Sequence, residues 1–148
     1  VEAMDTRVFD PFRIIVADRT QLFEFVWARG ERRSHPLRPI EEPLFFTSSG
    51  LGDEVVATPR RELFDECFAA PAPWQASQDR FHAHSWPGNE RASVWMTRAD
   101  ALPVSRTEVE ITEDRVTMNY HARLGDGARL VGAGPMSLPL ACGSRQRD

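Results

Sequence analysis

His82 and His84 stand one residue apart, in Phe81-His82-Ala83-His84-Ser85-Trp86. In an extended backbone both imidazoles would face the same side, a frequent arrangement of metal ligands. Zinc or iron there needs a further ligand, and His35, His121, Asp79 and Glu90 are of the right type, though none stands at a recognisable spacing. The competing reading is a hydrogen-bonded surface pair beside a turn. A second segment, Phe46-Thr47-Ser48-Ser49-Gly50-Leu51-Gly52-Asp53, reads as a strand end and a small turn leading into a helix that carries Arg60 and Arg61. Backbone N–H groups at such a turn, with the helix N-terminus, form an anion cradle. Ser48, Ser49, Gly50 and Arg60 are therefore candidate ligand contacts. A serine nucleophile is the chemical alternative, but neither a GxSxG elbow nor a Walker A loop is present. The structural alternative is a connection whose hydroxyls satisfy backbone groups. Arg98, two residues before Asp100, either makes a local ion pair or orients polar groups over a cleft.

The two cysteines offer little. Cys67 falls on an apolar helical stripe, which predicts a buried hydrophobe. Cys142 lies in the tail with no neighbouring histidine to activate it. Catalytic residues stay unassigned, and no cofactor is expected.

The elements that would position these groups follow from periodicity. Pro11–Val16 and Leu22–Trp27 predict a β-hairpin across Ala17-Asp18-Arg19-Thr20, with apolar residues on both faces, as in stacked layers. Gly30–Pro43 reads as a charged, proline-containing loop, and Leu44-Phe45-Phe46 as the next strand. Thr58 as N-cap and Pro59 at the first helical position predict a helix with Leu63, Phe64, Cys67 and Phe68 on one stripe, stopped by Pro71 and Pro73. A shorter helix is expected over Trp74–His82, with Trp74, Gln78 and Phe81 on one side, and then a turn at Trp86–Asn89. Ser93–Arg98 reads as a strand. Val104–Thr112 and Val116–Leu124 predict a hairpin through Glu113-Asp114-Arg115. Gly125-Asp126-Gly127 is a further turn, and a weak strand begins at Leu130-Val131. Grouped strands around a helical middle predict an α+β fold with antiparallel sheets.

Composition bounds the class. A chain of 148 residues with 41% hydrophobic and 9% aromatic residues suits one globular domain over 1–142 with a polar tail at 143–148. The net charge of -4 gives no electrostatic footprint for nucleic acid. All 18 basic residues are arginine, whose planar fork suits carboxylates and phosphates. No apolar run is long enough to span a bilayer, and no charged-then-apolar leader opens the chain, so a cytoplasmic location is expected. The start, Val1-Glu2-Ala3-Met4, leaves two readings: initiation at Met4, or a piece of something longer.

Asp10–Asp18, Phe46–Asp53, Val56 and Arg60-Arg61 before the Leu63-Phe64 helix resemble the later half of the NRDE, or transport-and-Golgi-organisation, proteins. Ser93–Ala101 with Val104-Ser105-Arg106-Thr107 is similar to the closing strands of bacterial members. The resemblance covers most of residues 10–122. It implies half of an Ntn-hydrolase-like αββα sandwich. Members open with a cysteine near the mature N-terminus and carry an Asn-Arg-Asp-Glu motif; this chain shows neither. Three expectations result. The first is an NRDE-type domain that binds a small anionic ligand or the N-terminal half of the same protein, or pairs with itself as a homo-oligomer. The second is an amide hydrolase completed by an N-terminal segment, because an Ntn mechanism needs a terminal nucleophile. The third is a metal-dependent enzyme using His82 and His84.

Overall fold

A computed structural model describes residues 5, 8–28, 30–69, 73–124 and 129–140. The expected turn at Gly125-Asp126-Gly127, Pro71, Cys142, the segment Val1–Met4 and the polar tail lie outside the described residues. The chain divides into two compact units. The first comprises residues 1–42, 111–115 and 139–148; the second comprises 43–110 and 116–138. Eight elements run β1 (Phe12–Ala17), β2 (Gln21–Ala28), β3 (Glu31–Pro39), α1 (Asp53–Phe68), α2 (Trp74–His82), β4 (Ser105–Ile111), β5 (Arg115–Leu124) and β6 (Arg129–Pro139). The strands form two three-stranded antiparallel sheets, β1-β2-β3 and β4-β5-β6, so the α+β class expected from the sequence is what the chain adopts.

In the first unit, β1 and β2 pair with Phe12 opposite Trp27 and Val16 opposite Phe23. Asp18 sets their turn: its carboxylate accepts hydrogen bonds from the N–H groups of Thr20 (2.7 Å) and Gln21 (2.8 Å). Leu22 on one face of β2 and Phe25 and Trp27 on the other are buried, as expected of a central strand. β1 is not covered on both sides, since Ile15 and Val16 face solvent.

β3 replaces the loop expected at Gly30–Pro43. Every residue of it is exposed, so no apolar alternation marks it, and backbone pairing with β2 alone makes it a strand. Its register slips by one residue where Leu22 faces Arg38 and Glu24 faces His35, which leaves Pro36 and Leu37 opposite Phe23. Proline has no N–H to give the ladder, and a bulge is where a sheet tolerates that loss.

In the second unit, α1 begins at Asp53, five residues before the expected Thr58 cap, and Pro59 lies inside it. Gly52 is the N-cap with φ 97°, a conformation that favours glycine. A Cβ there would run into the Glu54 carboxylate. The inward stripe is Val56, Arg60, Leu63, Phe64 and Cys67, spaced as one helical face. Leu44-Phe45-Phe46 is not a strand. Phe45 instead caps the helical core, with ring centroids 5.3 Å from Phe64 and 5.8 Å from Phe81. α2 has the expected bounds, but Phe81 and Ser77 are its buried residues, and Trp74 is 54% exposed.

The turn after α2 forms where expected, with the Asn89 N–H donating to Trp86 O. Ser93–Arg98 is not a strand. The segment coils inward because Ser93, fully buried, accepts the Trp86 N–H at 2.8 Å and donates to Asn89 O at 3.0 Å. The β4–β5 hairpin turns at Glu113-Asp114, and Thr112 N–H donates to Arg115 O. β6 is far longer than the weak strand expected at Leu130. No helix among the described residues is long and apolar enough to cross a membrane.

Candidate functional site

The turn at residues 47–53 and Arg60 do come together, but in a closed arrangement. Arg60, 7% exposed, donates from Nε to Ala92 O (3.0 Å), from Nη1 to Thr47 Oγ1 (2.9 Å) and Ser48 O (3.4 Å), and from Nη2 to Ser93 O (2.8 Å). Its fork therefore fastens two coil segments of the second unit to α1. Burial lowers its pKa, nearby Asp53 opposes that, and Arg98 adds to it. The turn's own donors are also engaged. Ser49 N–H donates to the Asp53 carboxylate at 3.0 Å, and Leu51 N–H to Ser49 Oγ at 3.2 Å. The place an anion would take is filled by the chain's own carboxylate, and Asp53 and Glu54 already answer the positive end of α1. The Arg98 guanidinium lies against Gly50, within 4 Å of where a Cβ would stand, and its Nε is 3.6 Å from Asp100 Oδ1. This is the local ion pair the sequence offered, set in a turn and not at a strand end.

His82 and His84 are not in extended backbone. His82 ends α2, and Ala83 continues in the right-handed helical region. Two residues at about 100° each turn the side chains to nearly opposite sides. The His84 ring packs edge-on to Trp86, with centroids 5.0 Å apart. Among the described residues no group of three His, Cys, Asp or Glu side chains is placed to hold a metal ion. Cys67 is free, buried, and accepts from Arg80 Nε at 3.3 Å.

Within the second unit a groove of about 370 Å³ opens between α2 and the β4–β5 strands. From α2 it takes Trp74, Gln75, Gln78, Asp79 and His82. These positions lie three to four residues apart along one side of a helix. From β4 it takes Arg106, Thr107, Glu108, Val109 and Glu110, of which the three charged residues alternate along the strand, and from β5 Asn119.

Arg106 anchors the groove. Its Nη2 lies 3.2 Å from Asp79 Oδ1 and 2.6 Å from Glu108 Oε1. The second contact is an ion pair without hydrogen-bond alignment, and Glu108 Oε1 and Arg106 Nε are buried without a hydrogen bond. His121 Nε2 sits 3.7 Å from the same Glu108 oxygen. His82 has its pKa lowered by partial desolvation and by Arg106, against opposing pulls from Asp79 and Glu108. Desolvation and Arg106 thus disfavour its protonated form, although the residue is exposed.

Of these residues, the sequence offers His82 and Asp79 only as metal ligands and does not mark Arg106 and Glu108 as a pair. A polar helical stripe and a period-two charged stripe were both present in the sequence. Compared with protein-family models, curated proteins and solved structures, the chain has no match.

Proposed function

We propose that the chain is an NRDE-type domain that works as a small-ligand-binding module, with the groove between α2 and the β4–β5 strands as its binding site. One observation carries this reading. Polar side chains from a helix and two strands converge on one cavity, and the side chains of Gln75, Gln78, Glu110 and Asn119 make no hydrogen bond or ion pair among the described residues. A concave site with convergent, unspent polar groups beside an aromatic wall is the usual form of a small-molecule site. The volume suits a metabolite-sized ligand and not a macromolecule. The antiparallel α+β architecture is compatible with half of an Ntn-like sandwich, and that assignment is part of the proposal.

The test uses Trp74, whose exposed indole can be removed without opening the core. The full chain is screened by thermal shift against amino acids, amines, sugars, dicarboxylates and nucleotides. A ligand of the groove raises the melting temperature by mass action. Its affinity should fall at least about tenfold in Trp74→Ala, by loss of one aromatic contact. A screen without stabilising compounds, or with compounds indifferent to Trp74→Ala, would sink the reading.

A further inference from the structure

The charges in the groove do not balance. Asp79, Glu108 and Glu110 supply three carboxylates, and Arg106 supplies one guanidinium. Leaving the histidine out of the count, these groups carry a formal charge of about -2 at pH 7. Arg106 is also engaged by two of these carboxylates, so its charge is already answered from within. Glu110, exposed on the same side of β4, has no ion-pair partner among the described residues. Trp74 adds an indole half open to solvent at the α2 wall. An indole face beside carboxylates is what a positively charged organic group binds, through the ring quadrupole and direct charge attraction. An anion would meet three carboxylates and a guanidinium already in use.

We infer that the groove selects a small organic cation, an amine or quaternary ammonium compound, over an anion; this rests on the groove being the ligand site. The chain's net charge of -4 attracts such a ligand from a distance as well.

Titration calorimetry of the full chain at low ionic strength tests it, with putrescine and choline as cationic probes and succinate and inorganic phosphate as anionic ones. The expected result is binding of at least one cation and of neither anion. Glu110→Gln should weaken that binding about tenfold, and so should Trp74→Ala. Both side chains are exposed, so both variants should melt with the parent chain. Raising the salt should weaken binding further, as screening requires. Anion binding that is lost in Trp74→Ala would overturn the selectivity and leave the groove standing as a ligand site. No binding of any probe, or cation binding unchanged in both variants, would overturn the inference; the broader thermal-shift screen then decides separately whether the groove binds anything.

Discussion

Replacing Arg60 by methionine separates a structural fastener from a ligand contact. The substitution keeps an unbranched, helix-compatible side chain on the inward stripe of α1. It removes all four hydrogen bonds to residues 47, 48, 92 and 93. Two of the acceptors, the carbonyls of Ala92 and Ser93, belong to residues no more than 4% exposed, so water cannot readily replace the lost donor. A hydrogen bond from a charged donor contributes about 1.5–3 kcal/mol net, so the two buried ones together contribute about 3–6 kcal/mol. Relief from burying a guanidinium offsets part of this, because desolvation of an ion costs several kcal/mol. A net destabilisation of about 3 kcal/mol follows. At about 2–4 °C per kcal/mol for a chain of this size, the melting temperature falls by about 6–12 °C. Urea denaturation followed by far-ultraviolet circular dichroism measures the change. Arg60→Lys sharpens the test: an ammonium lacks the fork that spans both coil segments, so lysine should recover less than half of the loss. A methionine variant within about 0.5 kcal/mol of the parent would refute the fastener, since that is the range of an ordinary surface change.

Two further outcomes follow from the same geometry. Ser93→Ala removes the fully buried hydroxyl that accepts the Trp86 N–H and should cost about 1–3 kcal/mol, read from the urea midpoint at constant slope; an unchanged midpoint would contradict the inward coil. His82 titrates lower in the folded chain than its ordinary 6.5, so the unfolded chain takes up its proton first as the pH falls. Stability should therefore decline as the pH drops below about 6.5 and level off beneath the folded value, and His82→Gln should flatten that window. Asp18 and Asp114, lowered by hydrogen bonds, act in a separate and more acidic window, so a urea midpoint followed from pH 8 to 5 isolates the imidazole. Equal slopes in parent and variant would contradict the assignment.

Local pattern made part of this fold legible. The β1–β2 and β4–β5 hairpins carry alternation and turn residues together, and α2 is bounded by its proline and by the turn that follows. Three elements were hidden for separate reasons. β3 is exposed throughout, so burial left no signature in its composition. α1 starts before a proline that normally opens a helix, so the sequence offers Arg60 as a ligand contact near a helix start, whereas it sits on the buried stripe. Ser93–Arg98 has strand-like residues, but a buried serine hydroxyl and the Arg60 fork hold it in turns. The groove was hidden in another way. Its two stripes are local, whereas the pairing of α2 with β4 is a tertiary fact that neither stripe encodes.

The prolines of β3 have a consequence for how the first sheet ends. Pro36 and Pro39 lie on its outer strand, and the doubled residue opposite Phe23 bends that strand. A fourth strand arriving there would meet an irregular, proline-containing strand and charged side chains at Arg32, Arg33 and Arg38. β6, the outer strand of the other sheet, likewise carries Pro135 and Pro139. Each sheet thus has one margin that resists growth, and neighbouring chains cannot easily zip onto it. The cost is borne by backbone pairing at the margin. The return is that β3 and β6 are poor templates for an added strand.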